Sequence, residues 1–162
     1  MHAPARSLSL EQSGLLTFVG AGDSEFLTWA EETRGAGSIN PLASAETTLQ
    51  FARFYQNQVL PRCSPSVDTW AITGGIEHAR SGARPLQLGC GSLVAQGWPL
   101  TVKQLAPTDS VTVGPLSFDG EPAGRVAYSV LRRLYPQFGL DESCVPYSSD
   151  GEVQETEIRR GW

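Results

Sequence analysis

Apolar residues in this chain come in short bursts cut apart by Gly and Pro, and a few longer stretches carry a helical period. The clearest follows Asn40-Pro41. Leu42, Ala45, Leu49, Ala52, Tyr55 and Val59 recur at spacings of three and four, which puts them on one face of a helix. Phe51 and Phe54 widen that stripe. Asn40 suits the cap and Pro41 the first helical position, with Ser44 as an alternative start. Pro61 should end the helix, because the residue before a proline is pushed out of the helical region. A second helix is predicted from about Asp119 to Tyr135, with Val126, Val130 and Leu134 in one row and Ala127, Leu131 and Tyr135 beside it. A third should run from a cap at Asp23 or Ser24 to Thr33, stopped by Gly35.

Between these lie segments of strand character. Leu15–Val19 is apolar and partly β-branched or aromatic, which predicts a buried strand. Val67–Thr73 predicts another, closed by Gly74-Gly75. From Pro85 to Gly120 the chain carries few charges and breaks into Leu86–Leu88, Ser92–Val94, Trp98–Val102 and Val111–Val113, separated by glycines and turn residues. Short connections of this kind suit an antiparallel meander. Cys144–Tyr147 is expected to add a short edge strand. The fold class that follows is α+β: a single domain, residues 1–162, of short antiparallel or mixed strands covered by two to three amphipathic helices. A polar arm is expected over residues 1–13 and an acidic tail over 148–162.

Composition narrows the function classes. The net charge is −5, which gives no electrostatic case for nucleic-acid binding. Lys103 is the only lysine, and the preference for Arg reads as base composition before phosphate recognition. Three cysteines, Cys63, Cys90 and Cys144, an odd count at wide spacing, argue against a disulfide framework and fit a reducing compartment. With only His2 and His78 as histidines and no C-x-x-C, no metal site is expected, and no cofactor. No apolar run approaches a membrane span, and the N-terminal residues do not read as a signal peptide. The expectation is therefore a cytoplasmic chain without membrane partners.

Four places invite chemistry. Gly20-Ala21-Gly22 joins a strand to a predicted helix, where free amides can hold a phosphate, but Asp23 and Glu25 would repel an anion. Cys90 stands between Gly89 and Gly91, which would expose a nucleophilic sulfur and leave amides for an oxyanion. His78 is the candidate base, with Glu77 or Asp68 to orient it. The bland alternatives are a buried Cys90 and a surface or capping His78. Leu88–Ser92 resembles, over those residues alone, the glycine-rich loop of Rossmann-type methyltransferases, without that family's acidic residue on a second strand. The order Gly74-Gly75, a helix-like piece, then Val111-Thr112-Val113-Gly114-Pro115 resembles the run of features in macro domains, which implies ADP-ribose binding. Trp70–Thr73 occupies the place of that family's asparagine-rich segment. Finally, Trp162 behind a charged tail could dock on a neighbouring subunit.

Two function classes follow. The first is a non-catalytic protein that binds a protein partner or assembles as a homo-oligomer. The second is a small enzyme using Cys90 and His78, or a nucleotide binder of the ADP-ribose type.

Overall fold

Residues 6–20, 38–63, 69–76, 80–81, 84–85, 87–88 and 110–160 are described by the computed structural model of the chain. Its strands are β1 (Arg6–Leu10), β2 (Leu16–Gly20), β3 (Ser38–Ile39), β4 (Thr69–Ile76), β5 (Arg80–Ser81), β6 (Arg84–Pro85), β7 (Gln87–Leu88), β8 (Val111–Asp119), β9 (Ser148–Ser149) and β10 (Glu152–Val153). Its helices are α1 (Pro41–Phe54), α2 (Leu60–Cys63), α3 (Ala123–Leu134) and α4 (Glu155–Arg160). The described strands pair two by two, antiparallel except for β3 with β7; α3 packs across the longest pair and α1 packs against α3. The architecture is α+β.

That longest pair is β4 with β8, running from Thr69 opposite Asp119 to Ile76 opposite Val111. Ile72 faces Leu116 and Gly74 faces Val113, so Gly114 and Pro115 on β8 stand against Thr73 alone. The extra residue reverses the alternation of β8. Val111 and Val113 on one side of it, and Leu116 and Phe118 on the other, are therefore all buried. Gly114 permits this turn of the strand: its φ is +111°, and a Cβ there would stand 2.6 Å from the Ile72 carbonyl oxygen.

Helix α3 lies over the inward face with Val126, Ala127, Val130, Leu131 and Leu134 buried, the row its sequence predicts. Full burial of each large aliphatic side chain contributes roughly 1.5–3 kcal/mol. The helix begins at Ala123 rather than Asp119. Asp119 is still paired with Thr69, and Gly120 takes a φ of +66° to turn the chain before Pro122. After α3, Tyr135–Phe138 tightens into a 3-10 turn ended by Gly139 in the left-handed region, which carries the chain past Pro136.

Helix α1 starts at Pro41 with Asn40 as its cap: the Asn40 Oδ1 accepts from the amides of Leu42 at 2.9 Å and Ala43 at 3.3 Å. Ala45, Leu49, Ala52 and Val59 are buried as expected, whereas Phe54 is exposed. Pro61 does not end the helix. Tyr55–Val59 widens into a π-helical turn in which the Leu60 amide donates to the Tyr55 carbonyl, and α2 then continues to Cys63. The wider turn relieves the clash a proline ring makes with the carbonyl four residues earlier.

Other expectations change as well. Leu15–Val19 is not a buried strand: β2 pairs with β1 as a hairpin, and Leu15 and Val19 are exposed. Residues 6–10 of the expected arm form β1. Cys144–Tyr147 is no strand, because Asp141 caps a 3-10 turn over Glu142–Cys144 by accepting from the Ser143 amide at 2.7 Å, and Tyr147 has a φ of +57°. The expected acidic tail is folded. β9 and β10 form a hairpin through Asp150 and Gly151, both at positive φ, and Val153 and Ile158 are buried. β10 passes so close over α3 that a Cβ on Gly124 would stand 2.7 Å from the Val153 carbonyl oxygen. Within Pro85–Gly120, β8 finds its partner in β4, outside that stretch; residues 89–109 and the predicted helix over 23–33 lie outside the described residues.

Candidate functional site

The β1–β2 hairpin sits on one end of α1. Its turn is held by the Glu11 amide donating to the Leu15 carbonyl at 2.9 Å and by Gly14 at a φ of +85°. A Cβ on Gly14 would stand 3.0 Å from the Cys63 Sγ, so the turn rests directly on α2. The Tyr55 hydroxyl donates to the Gly14 carbonyl at 3.3 Å, and the Phe18 and Phe51 rings lie 6.3 Å apart. Burial, with a smaller contribution from Cys63, pushes the Tyr55 phenol above its ordinary range.

Facing pairs in a hairpin share a side, so Leu10 opposite Leu16 and Leu8 opposite Phe18 point the same way. Leu16 is buried and Phe18 half-buried, yet Leu8 and Leu10 stay 53% and 57% exposed because β1 lies beyond the surface that β2 covers. Leu15 and Val19 are exposed at 55% and 59%. Of the five exposed large hydrophobic residues among the described ones, four are thus on this hairpin, and the fifth is Phe54.

Between β2, α1 and β4 lies a cleft of about 440 Å³. Residues 70–76 line it without a gap. Alternate side chains of a strand point to opposite faces, so an unbroken run means that the strand's edge, rather than either face, borders the cleft. The α1 wall presents Ser44, Thr47, Thr48, Phe51 and Tyr55. Tyr55 stacks at 5.0 Å on Trp70, and Trp70 at 5.6 Å on Phe118, which fixes the rings. The Thr48 hydroxyl donates to the Ser44 carbonyl at 2.8 Å. Tyr55 is the one ionisable side chain among the described lining residues, so these walls can stack and hydrogen-bond but hold no acid–base pair.

Cys90 and His78, with Asp68 and Glu77, lie outside the described residues, as do Ala21, Gly22 and residues 89–91. Among the described cysteines Cys63 is exposed and Cys144 buried. Gly74-Gly75 and Val111–Pro115 come together as neighbours, but within the β4–β8 ladder: Gly74 faces Val113 and Gly75 faces Thr112. Among the described residues no group of three or more His, Cys, Asp or Glu could hold a metal ion, and no helix is long and apolar enough to cross a membrane.

The α1 wall was missed in the sequence, although its signal is there. Ser44, Thr47, Thr48, Phe51 and Tyr55 form a second stripe at helical spacing beside the buried one. Comparison with known proteins gives no further guide: no family model, curated protein or solved structure matches the chain.

Proposed function

We propose that this chain is a non-catalytic, self-assembling subunit that joins a second copy of itself through the β1–β2 hairpin. The observation that carries this reading is the pair Leu8 and Leu10, both more than half exposed on one side of β1, with Leu15 and Val19 also more than half exposed on the same hairpin. Exposed apolar side chains gathered in one place mark interaction surfaces, whereas single ones do not. The outer edge of β1 also has no strand partner among the described residues. An unpaired strand offers a row of amides and carbonyls to a strand from another chain. Two β1 strands related by a two-fold axis would pair antiparallel and bring their leucines together.

Sedimentation velocity of the wild-type chain and of a Leu8→Ser/Leu10→Ser variant tests this. The wild type should sediment as an oligomer and the variant, with an unchanged circular dichroism spectrum, as a monomer. A wild-type chain that remains monomeric at tens of micromolar would sink the reading, as would an oligomer indifferent to both substitutions.

A further inference from the structure

We infer that the cleft between β2, α1 and β4 is a binding site for a small, uncharged aromatic molecule, distinct from the exposed face of β1 that carries Leu8 and Leu10. Its volume of about 440 Å³ falls within the range of small-molecule sites, roughly 300–1,000 Å³. Such sites combine apolar and aromatic walls with a few polar groups that set orientation. Here the apolar walls come from Phe18, Phe51, Trp70, Ile72, Val130 and Leu134. The rings are not free to collapse into the space, because Tyr55 is tied to the Gly14 carbonyl and Trp70 is held between Tyr55 and Phe118.

The polar groups decide the ligand's charge. Tyr55 and Thr48 spend their hydroxyl protons within the protein. Ser44 and Thr47, half-buried and one turn apart on α1, line the cleft and make no side-chain hydrogen bond among the described residues. A hydroxyl both donates and accepts, so the pair can orient a neutral ligand bearing an amine, carbonyl or hydroxyl group. An ionised ligand would lose its hydration and find no opposite charge on the described walls, and an anion would also meet a chain of net charge −5.

The probe for the test is N-phenyl-1-naphthylamine, a neutral amine joining a naphthyl group to a phenyl ring, which fluoresces when it leaves water. It should bind saturably at one molecule per chain. Its sulfonated counterpart, 8-anilinonaphthalene-1-sulfonate, should bind at least tenfold more weakly. Thr47→Phe, which fills the cleft from α1, should weaken naphthylamine binding at least tenfold, and Ser44→Leu should do the same if Thr47→Phe does not fold. Leu8→Ser/Leu10→Ser should leave binding unchanged. The inference is overturned by the absence of saturable binding, by equal affinity for the sulfonate, or by folded cleft variants that bind as the wild type does. Loss of binding in the Leu8→Ser/Leu10→Ser variant would equally overturn it, since the probe would then sit on the exposed face of β1 and not in the cleft.

Discussion

The Tyr135 hydroxyl donates to the carbonyl oxygen of Pro41 across 3.3 Å, joining the end of α3 to the start of α1 although 94 positions separate the two residues. Tyr135 is wholly buried, and Pro41 is buried in the first turn of its helix. Helix α3, which covers β4 and β8, and helix α1, which packs against α3, are thus fastened at one end by a hydrogen bond as well as by side-chain packing.

Tyr135→Phe keeps the ring and removes the bond. The loss should be about 1 kcal/mol, the net worth of a typical internal hydrogen bond, since the Pro41 carbonyl keeps its place in the helix. The pH dependence carries a second signature. Burial, with Cys144 adding to it, raises the Tyr135 phenol well above the ordinary tyrosine value of 10.0. A raised value means that stability is fully present below the unfolded-state value and falls as the pH climbs above about 10, where only the unfolded chain ionises freely. Urea denaturation at pH 8 and pH 11 should therefore show the wild type losing more stability than Tyr135→Phe. Equal losses would mean that the phenol is not held neutral.

Gly124→Ala sets two effects against each other. Alanine is favoured over glycine inside a helix by roughly 1 kcal/mol. Its Cβ, however, would stand 2.5 Å from Glu152 Cγ and 2.7 Å from the Val153 carbonyl oxygen. The glutamate can swing away, but the backbone carbonyl cannot without moving β10. Overpacking of this kind costs about 1–3 kcal/mol, so the substitution should lower the melting temperature. A rise would show that β10 yields without cost.

Asn40 is the one buried polar side chain among the described core residues, and its Oδ1 serves two amides at once. Asn40→Ala should cost about 0.5–2 kcal/mol, the range for lost helix caps. Asn40→Asp keeps an accepting oxygen and should recover much of that loss at neutral pH. Chemical denaturation of the three chains decides it, and a fully stable Asn40→Ala would show that the cap is dispensable.

What was legible in the sequence, and what was not, follows from how local each signal is. The faces of α1 and α3 were readable because five or more apolar residues repeat within each helix. The partner of β8 was not. Gly74-Gly75 has the composition of a chain break, yet both residues continue β4, where Gly74 lies so close to α3 that a Cβ would stand 3.2 Å from Val130 Cγ1. Turn and close approach ask for the same residue, so sequence alone does not separate them. Pro61 misled for a related reason, since a π-helical turn accommodates what an α-helical one rejects. In the candidate site, the hydroxyl stripe from Ser44 to Tyr55 was visible as spacing, but only the positions of β2 and β4 turn that stripe into the wall of a cleft.

The C-terminal segment was read by its charge, and its two buried residues show why charge misleads there. Val153 and Ile158 are the apolar residues among Asp150, Glu152, Glu155 and Glu157, too few to set a period. The readable signal was Asp150-Gly151, a dipeptide suited to the positive φ that both residues adopt. Beyond that turn, Ile158 is 3% exposed, and Glu155 pairs with Arg53 of α1 at 2.6 Å. The ion pair is about one-third exposed on both sides and should contribute no more than about 1 kcal/mol. Burial of Ile158 outweighs it: Ile158→Ala should cost about 2–5 kcal/mol, against less than about 0.5 kcal/mol for the exposed neighbour Thr156→Ala. Deletion of residues 150–162 should accordingly lower stability, since it removes the buried Val153 and Ile158. Melting curves of the three altered chains distinguish a packed segment from a solvated tail, and an unchanged curve for Ile158→Ala would return the segment to the surface.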